Sequence, residues 1–162
     1  MDQLIRFLVV FILLVPALFG FFIVINVLFP KRVTKTLTVL HHTPGRAFWI
    51  GLVNIVFLLP ISMLLFSLAD ITTGPLKWII TLPALFFLAV LLGLAGFGLS
   101  SVVNMVGERV TPEQSLLKRT FWSTLLLCLA SALPLVGWFL LLPYLLAIGI
   151  GGVILGFFQK DS

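Results

Sequence analysis

The sequence predicts an all-α fold: a polytopic transmembrane helix bundle of three spans plus a C-terminal broken helical hairpin, four to five membrane segments in all. Three observations lead there. Of 162 residues, 61% are hydrophobic and only 9% are charged, against about 45–50% and 25% in soluble domains. The apolar residues come in runs long enough to cross a bilayer, which takes about 20 residues. The basic residues sit between those runs or at their ends. Such a chain cannot hide its apolar surface from water, so its solvent is lipid. Residues 1–162 form a single integral membrane domain.

The first span covers roughly residues 4–29 and ends at Pro30-Lys31-Arg32. Its apolar run, Phe7 to Phe29, is longer than the core of a secretory signal, and no small-x-small cleavage site follows it. The expectation is therefore a retained helix. Loop one, Pro30 to Arg46, precedes a second span of roughly 47–69, closed by Asp70. The turn signal Gly74-Pro75 lies before the third span, roughly 78–104. Loop three, 106–120, is the longest polar stretch. The apolar remainder, Phe121 to Phe158, would extend as one helix well beyond the roughly 30 Å of hydrocarbon at 1.5 Å per residue. It is interrupted by Pro134-Leu135-Val136-Gly137-Trp138, where Pro removes a helix hydrogen bond and Gly permits a turn. Two helices, about 112–133 and 138–158, folded as a hairpin account for this. A single tilted, kinked crossing is the alternative.

Charge orients the bundle. With a hairpin, eight basic residues share one side: Lys31, Arg32, Lys35, Arg46, Arg109, Lys118, Arg119 and Lys160. Two, Arg6 and Lys77, lie on the other. The positive-inside rule then puts the N-terminus outside and loops 30–46 and 106–120 in the cytoplasm. This distribution gives the net charge of +5 a topological meaning, and nucleic acid is not expected as a partner.

Within loop one, Val33, Leu37 and Leu40 fall at i, i+4 and i+7, while Lys31, Arg32 and Lys35 stay on the polar side. The pattern predicts a short interfacial helix, apolar face in lipid, with Lys31, Arg32, Lys35 and Arg46 at lipid head groups. An ordinary solvated basic loop is the competing reading. Thr43-Pro44 reads as N-cap and first residue of the next helix. In loop three, Thr111-Pro112-Glu113-Gln114 has the form of a capping box, with Thr111 at the N-cap and Gln114 three residues on. Small residues mark the packing faces. Ala89, Gly93, Gly96 and Ser100 form one helical stripe, and Gly152 and Gly156 a second, letting neighbouring backbones approach closely.

Candidate chemistry is sparse. His41 and His42 adjoin each other, point about 100° apart on a helix and are the only two histidines. Either could be an axial ligand to haem or a chlorophyll-type pigment, since one His suffices; water-facing or head-group-facing histidines are the simpler reading. Cys128, the single cysteine, excludes an internal disulfide and a thiolate cluster. Asn26, Asn54 and Asn104 are the main polar groups of the spans, and no ionisable residue falls near the bilayer centre, where proton relays and coupled transporters place theirs. No catalytic or nucleotide-binding motif occurs. Neither a catalytic residue, a cofactor nor a metal site is expected.

The order of motifs resembles a known family. A span ending in Phe29-Pro30 is followed by a basic loop and by Thr43-Pro44-Gly45-Arg46. A Gly-rich third span, Gly107-Glu108-Arg109, Ala132-Leu133-Pro134-Leu135-Val136-Gly137-Trp138 and Gly149-Ile150-Gly151-Gly152 come next. Over about residues 28–157 this resembles the small bacterial polytopic membrane module at the C-terminal end of some bactofilin-like (polymer-forming cytoskeletal) proteins. The resemblance implies a membrane anchor or assembly module in the bacterial cytoplasmic (inner) membrane. The expected function is a non-enzymatic scaffold or accessory subunit that stabilises a membrane complex or homo-oligomer, with lipids and other membrane proteins as partners. A small channel or transporter subunit is the alternative, and a lipid-modifying membrane enzyme, built on Glu108, Arg109 and Glu113, the second alternative.

Overall fold

The structure, a computed structural model, describes residues 2–133 and 135–158, with side chains from residue 9 onward. Pro134, Lys160 and the side chain of Arg6 therefore lie outside the described residues. Among the described residues six α-helices follow in order: α1 Asp2–Leu28, α2 Pro30–His42, α3 Pro44–Ile71, α4 Pro75–Val110, α5 Leu116–Ser131 and α6 Leu142–Phe158. A π-helical turn, Gly137–Leu141, leads into α6. Among the described residues four stretches are long and apolar enough to cross a membrane: Val9–Leu28, Pro44–Ile71, Pro75–Val110 and Gly137–Phe158.

Proline sets the helix boundaries. Phe29, Thr43, Gly74 and Thr111 each precede a proline, and each leaves the helical region, with φ/ψ of −128/50°, −138/56°, 71/−153° and −140/66°. The proline ring clashes with a preceding residue in α conformation, and its fixed φ suits the first turn of the next helix. Gly74 is the one described residue with positive φ, the left-handed region that only Gly enters at little cost. The other described prolines, Pro16, Pro60, Pro83 and Pro143, lie within helices and on exposed faces.

Loop three differs from the sequence expectation. The polar residues Gly107-Glu108-Arg109 remain helical, so α4 runs on to Val110. At 1.5 Å per residue its 36 residues extend about 54 Å, well past the hydrocarbon. Loss of hydrophobicity marks where a helix leaves lipid, not where it ends. Helix α5 begins at Leu116 rather than 112, with Ser115 as N-cap, and at about 24 Å is short for a full crossing.

The 116–158 stretch folds back as a hairpin. Helix α5 starts against the C-terminal end of α4, where Gly107 meets Arg119 and Ser123. Helix α6 ends against α2, where Gly152 and Gly156 meet Leu40 and Thr36. Gly137 serves the turn by allowing close approach: a Cβ there would fall 2.7 Å from the Ala130 oxygen. The two arms do not line each other. Helix α5 packs on α4 and α1, and α6 on α2, α3 and α4.

Helix α6 is the hub. Its Gly151 and Ala147 cross Ala47 and Gly51 of α3 so closely that the Ala147 oxygen occupies the Cβ position of Gly51, and the Ala47 oxygen that of Gly151. Gly149 meets Gly98 of α4 in the same manner. Around this crossing Val39, Leu40, Ala47, Val102, Leu145 and Ile148 form the core. Helix α2 belongs to that core. Its Val33, Thr36, Val39 and Leu40 are buried, so the apolar face expected in lipid is packed on protein instead.

Gly151→Leu is expected to abolish a monodisperse folded species in detergent, since overpacking a close backbone crossing exceeds the usual cost of about 1–3 kcal/mol. Gly20→Leu, at a position with nothing within 4 Å of a Cβ, should melt like the parent. Size-exclusion profiles and melting temperatures of the two variants check this.

Candidate functional site

Polar side chains collect at the end of the bundle where α2 joins α1 to α3. Asn26 of α1 donates from Nδ2 to its own Phe22 carbonyl at 2.8 Å and to Ser100 Oγ of α4 at 3.1 Å. Asn104, one turn beyond Ser100, donates from Nδ2 to Asn26 Oδ1. Ser101 Oγ bonds Phe97 O at 3.0 Å and reaches Val33 O of α2 at 3.5 Å. On α5, Thr120, Ser123 and Thr124 are buried as well. The hydroxyls of Ser123 and Thr124 bond carbonyls one turn back, each at 2.7 Å. Asn104 Oδ1 and Thr120 Oγ1 are buried without a partner. An amide removed from water is costly unless hydrogen-bonded, so the Asn26–Asn104 pair holds α1 in one register against α4. Asn54, by contrast, bonds only Ile50 O of its own helix, at 2.8 Å.

Above this layer the extended end of α4 gathers charge. Glu108 receives His41 Nε2 of α2 at 3.1 Å on one carboxylate oxygen, and Arg119 of α5 lies 3.7 Å from the other. The ring nitrogen carries the hydrogen and the carboxylate accepts. The three side chains are partly exposed, where such pairs contribute about 0–1 kcal/mol each. A His–Glu pair could orient a general base. Through Glu108 the cluster ties α2, α4 and α5 to one another. His42 is exposed. No group of three His, Cys, Asp or Glu among the described residues could hold a metal ion.

The residues chosen from sequence divide. Lys31, Arg32 and Arg46 are exposed at the α2 end and Lys35 is half-buried. The α4 stripe splits along its length: Ser100 is buried in the polar layer, and Gly96 faces Phe21 and Ile25 of α1. Gly93 has nothing within 4 Å of a Cβ, and Ala89 is exposed. Gly152 and Gly156 both pack inside the monomer, against α2. Thr111 does not open a helix as the capping-box expectation had it. It closes α4, its N–H and hydroxyl both reaching Gly107 O, at 2.9 and 3.3 Å. Gln114 only closes a turn, N–H to Thr111 O at 3.4 Å. The residue before Pro is pushed out of the helix, which suits Thr111 as an end of α4 and as an N-cap alike; here Pro112 to Gln114 form a turn and α5 starts only at Leu116.

Sequence reasoning missed His41–Glu108–Arg119, whose members lie far apart in the chain, and the crossing pair Ala47-Gly51 and Ala147-Gly151. The second had a legible signal, since both are small residues four apart.

The chain is an all-α polytopic integral membrane protein. Compared with family models, curated proteins and solved structures, it matches none.

Asn26→Leu and Asn104→Leu should each destabilise the bundle by about 1 kcal/mol. The double variant should lose less than the sum, because the second change removes the partner that the first leaves unsatisfied. Melting in detergent across the four-member cycle measures the coupling; full additivity would mean that the pair is not formed.

Proposed function

We propose that the chain is a non-enzymatic membrane subunit that scaffolds a complex by receiving a transmembrane helix of another membrane protein, or of a second copy, along α4. One observation carries the reading. The close-packed glycines of α4 and α6 are filled from within the bundle, at Gly96, Gly98, Gly107, Gly149, Gly151 and Gly152. Gly93 and its neighbour Ala89 are left open on the lipid side. Small residues there let a second backbone approach, with van der Waals contacts replacing those to lipid. The resemblance to the bactofilin-like membrane module supports an anchoring role of the same kind, in a bacterial cytoplasmic membrane.

Transport finds less support. The buried polar groups Asn26, Ser100, Ser101, Asn104, Thr120, Ser123 and Thr124 cluster at one end. Toward the other, among the described residues, the buried polar side chain is Ser62, whose hydroxyl bonds its own helix at Leu58 O, 2.8 Å.

The basic end faces the cytoplasm in this reading, with the N-terminus outside. The described cations support it: Lys31, Arg32, Lys35, Arg46, Arg109, Lys118 and Arg119 against Lys77.

Gly93→Leu should leave the melting temperature of the purified chain unchanged and release proteins that co-purify with the parent, or dissociate its oligomer. Gly96→Leu, which meets Phe21, should lower stability itself. Retention of every co-purifying protein and of the oligomeric state by Gly93→Leu would end the reading.

For orientation, cysteines at Thr38 and Gln114, both exposed, should be protected from an impermeant thiol reagent in intact cells on a Cys128→Ala background. Labelling of both from outside reverses it.

A further inference from the structure

Between the α1–α2 junction, Phe97 of α4 and the C-terminal end of α6 lies a cleft of about 230 Å³. We propose that it is a built site for the phosphodiester head group of an anionic phospholipid in the leaflet on the basic side. The inference is independent of the partner reading, because the cleft and the Ala89–Gly93 face are different surfaces.

Arg32 and Lys35, both on α2, line the cleft together with Phe29, Phe97, Gly156 and Phe157. Phe97 and Phe157 lie within helices of membrane-spanning length and hydropathy, and Phe29 directly follows another. The cleft thus combines cations with an aromatic wall that continues into the hydrocarbon, as an amphiphile requires. Arg32 follows the Val9–Leu28 span by four residues, so it lies next to the apolar run in the chain, where cations meet lipid head groups.

Arg32 is also positioned. Its guanidinium carbon stands 4.1 Å from the centre of the Phe157 ring, within cation–π range. Stacking holds the planar fork while leaving its edge donors for two phosphate oxygens, which an ammonium could not grip bidentately. Among the described residues no carboxylate pairs with Arg32. Phe29 and Phe97 meet edge to face at 5.1 Å, giving the wall a fixed shape. Gly156 lies beside Thr36 of α2 and brings no side chain of its own, so the space between the Val153 and Phe157 side chains of α6 stays open.

Size and charge select the occupant. Pockets for whole drug-sized ligands begin at about 300 Å³. This smaller cleft holds a head group and the first methylenes, with the chains left outside along the aromatic wall. The Arg32 guanidinium favours an anionic head group over a zwitterionic one, whose choline would bring a positive charge toward it. Lys31 and Arg46, exposed and outside the cleft lining, serve as controls for general attraction to anionic lipid.

The test is thermal melting of the purified full chain in neutral detergent, titrated with dioctanoyl phosphatidylglycerol, dioctanoyl phosphatidylcholine or glycerol 3-phosphate. Phosphatidylglycerol should raise the melting temperature of the parent saturably, and the other two should not. Arg32→Gln should melt like the parent without lipid and need about tenfold more phosphatidylglycerol for half its effect. Phe157→Ala should weaken the response in the same direction. Lys31→Gln with Arg46→Gln should stay within about twofold of the parent, since neither residue lines the cleft and exposed charges in water contribute little. An equal response to phosphatidylcholine, or an equal loss in the Lys31/Arg46 double variant, would overturn the proposal in favour of unspecific lipid contact. Stabilisation by glycerol 3-phosphate alone would overturn it in favour of a free-phosphate site.

Discussion

The oxygens of Ala47 and Ala147 stand where the Cβ atoms of Gly151 and Gly51 would be, and this reciprocal contact between α3 and α6 governs the rest of the bundle. In lipid, apolar side chains gain nothing by leaving their solvent, so helices associate through close packing and a few hydrogen bonds. Two small-x-x-x-small pairs, antiparallel to one another, provide that closeness. Each carbonyl faces a glycine Cα hydrogen, the geometry of a weak Cα–H···O bond. Any side chain at Gly51 or Gly151 would drive the helices apart. Helix α6 repeats the device on its other faces, at Gly149 toward α4 and at Gly152 toward α2. With α6 thus enclosed, α2 is drawn down onto its end and becomes part of the core.

Polar contacts then set register where packing alone would permit sliding. Asn26 and Asn104 join α1 to α4, and Glu108 ties α4 to both α2 and α5. The buried amide pair has the greater leverage, because an unpartnered amide in hydrocarbon has no water to turn to. The exposed His41–Glu108–Arg119 cluster is weaker for the opposite reason. Both lie at the α2 end, so that end is cross-linked by several bonds. The outer halves of α3 and α4 are held to each other by small residues such as Ala69 and Ala84 and by Ser62, all buried. The Arg32 cleft lies at the basic, cross-linked end, and the open Gly93 face lies midway along α4.

Composition and run length determined that the chain is helical and embedded in a membrane, since lipid leaves few other ways to satisfy a backbone. Thr43-Pro44 marked the start of α3 in the sequence and Gly74-Pro75 the turn before α4, because ring sterics act locally; that Pro30 and Pro75 themselves open helices was not read there. The fold-back after α5 was legible for a similar reason: the apolar stretch is too long for one crossing and is broken before Gly137. Tertiary structure alone decided which side of each helix meets protein and which meets lipid. Both environments are apolar, so hydrophobic periodicity carries no mark that separates them. That is why Gly93 and Gly96 look alike in sequence and differ in space, and why the apolar face of α2 read as lipid-facing. It also decided that Thr111 ends α4 rather than starting α5, a choice between two locally plausible caps. The Arg32 cleft and the His41–Glu108–Arg119 bracket join residues from three helices each, and their meeting depends on how closely the α6 glycines let those helices approach.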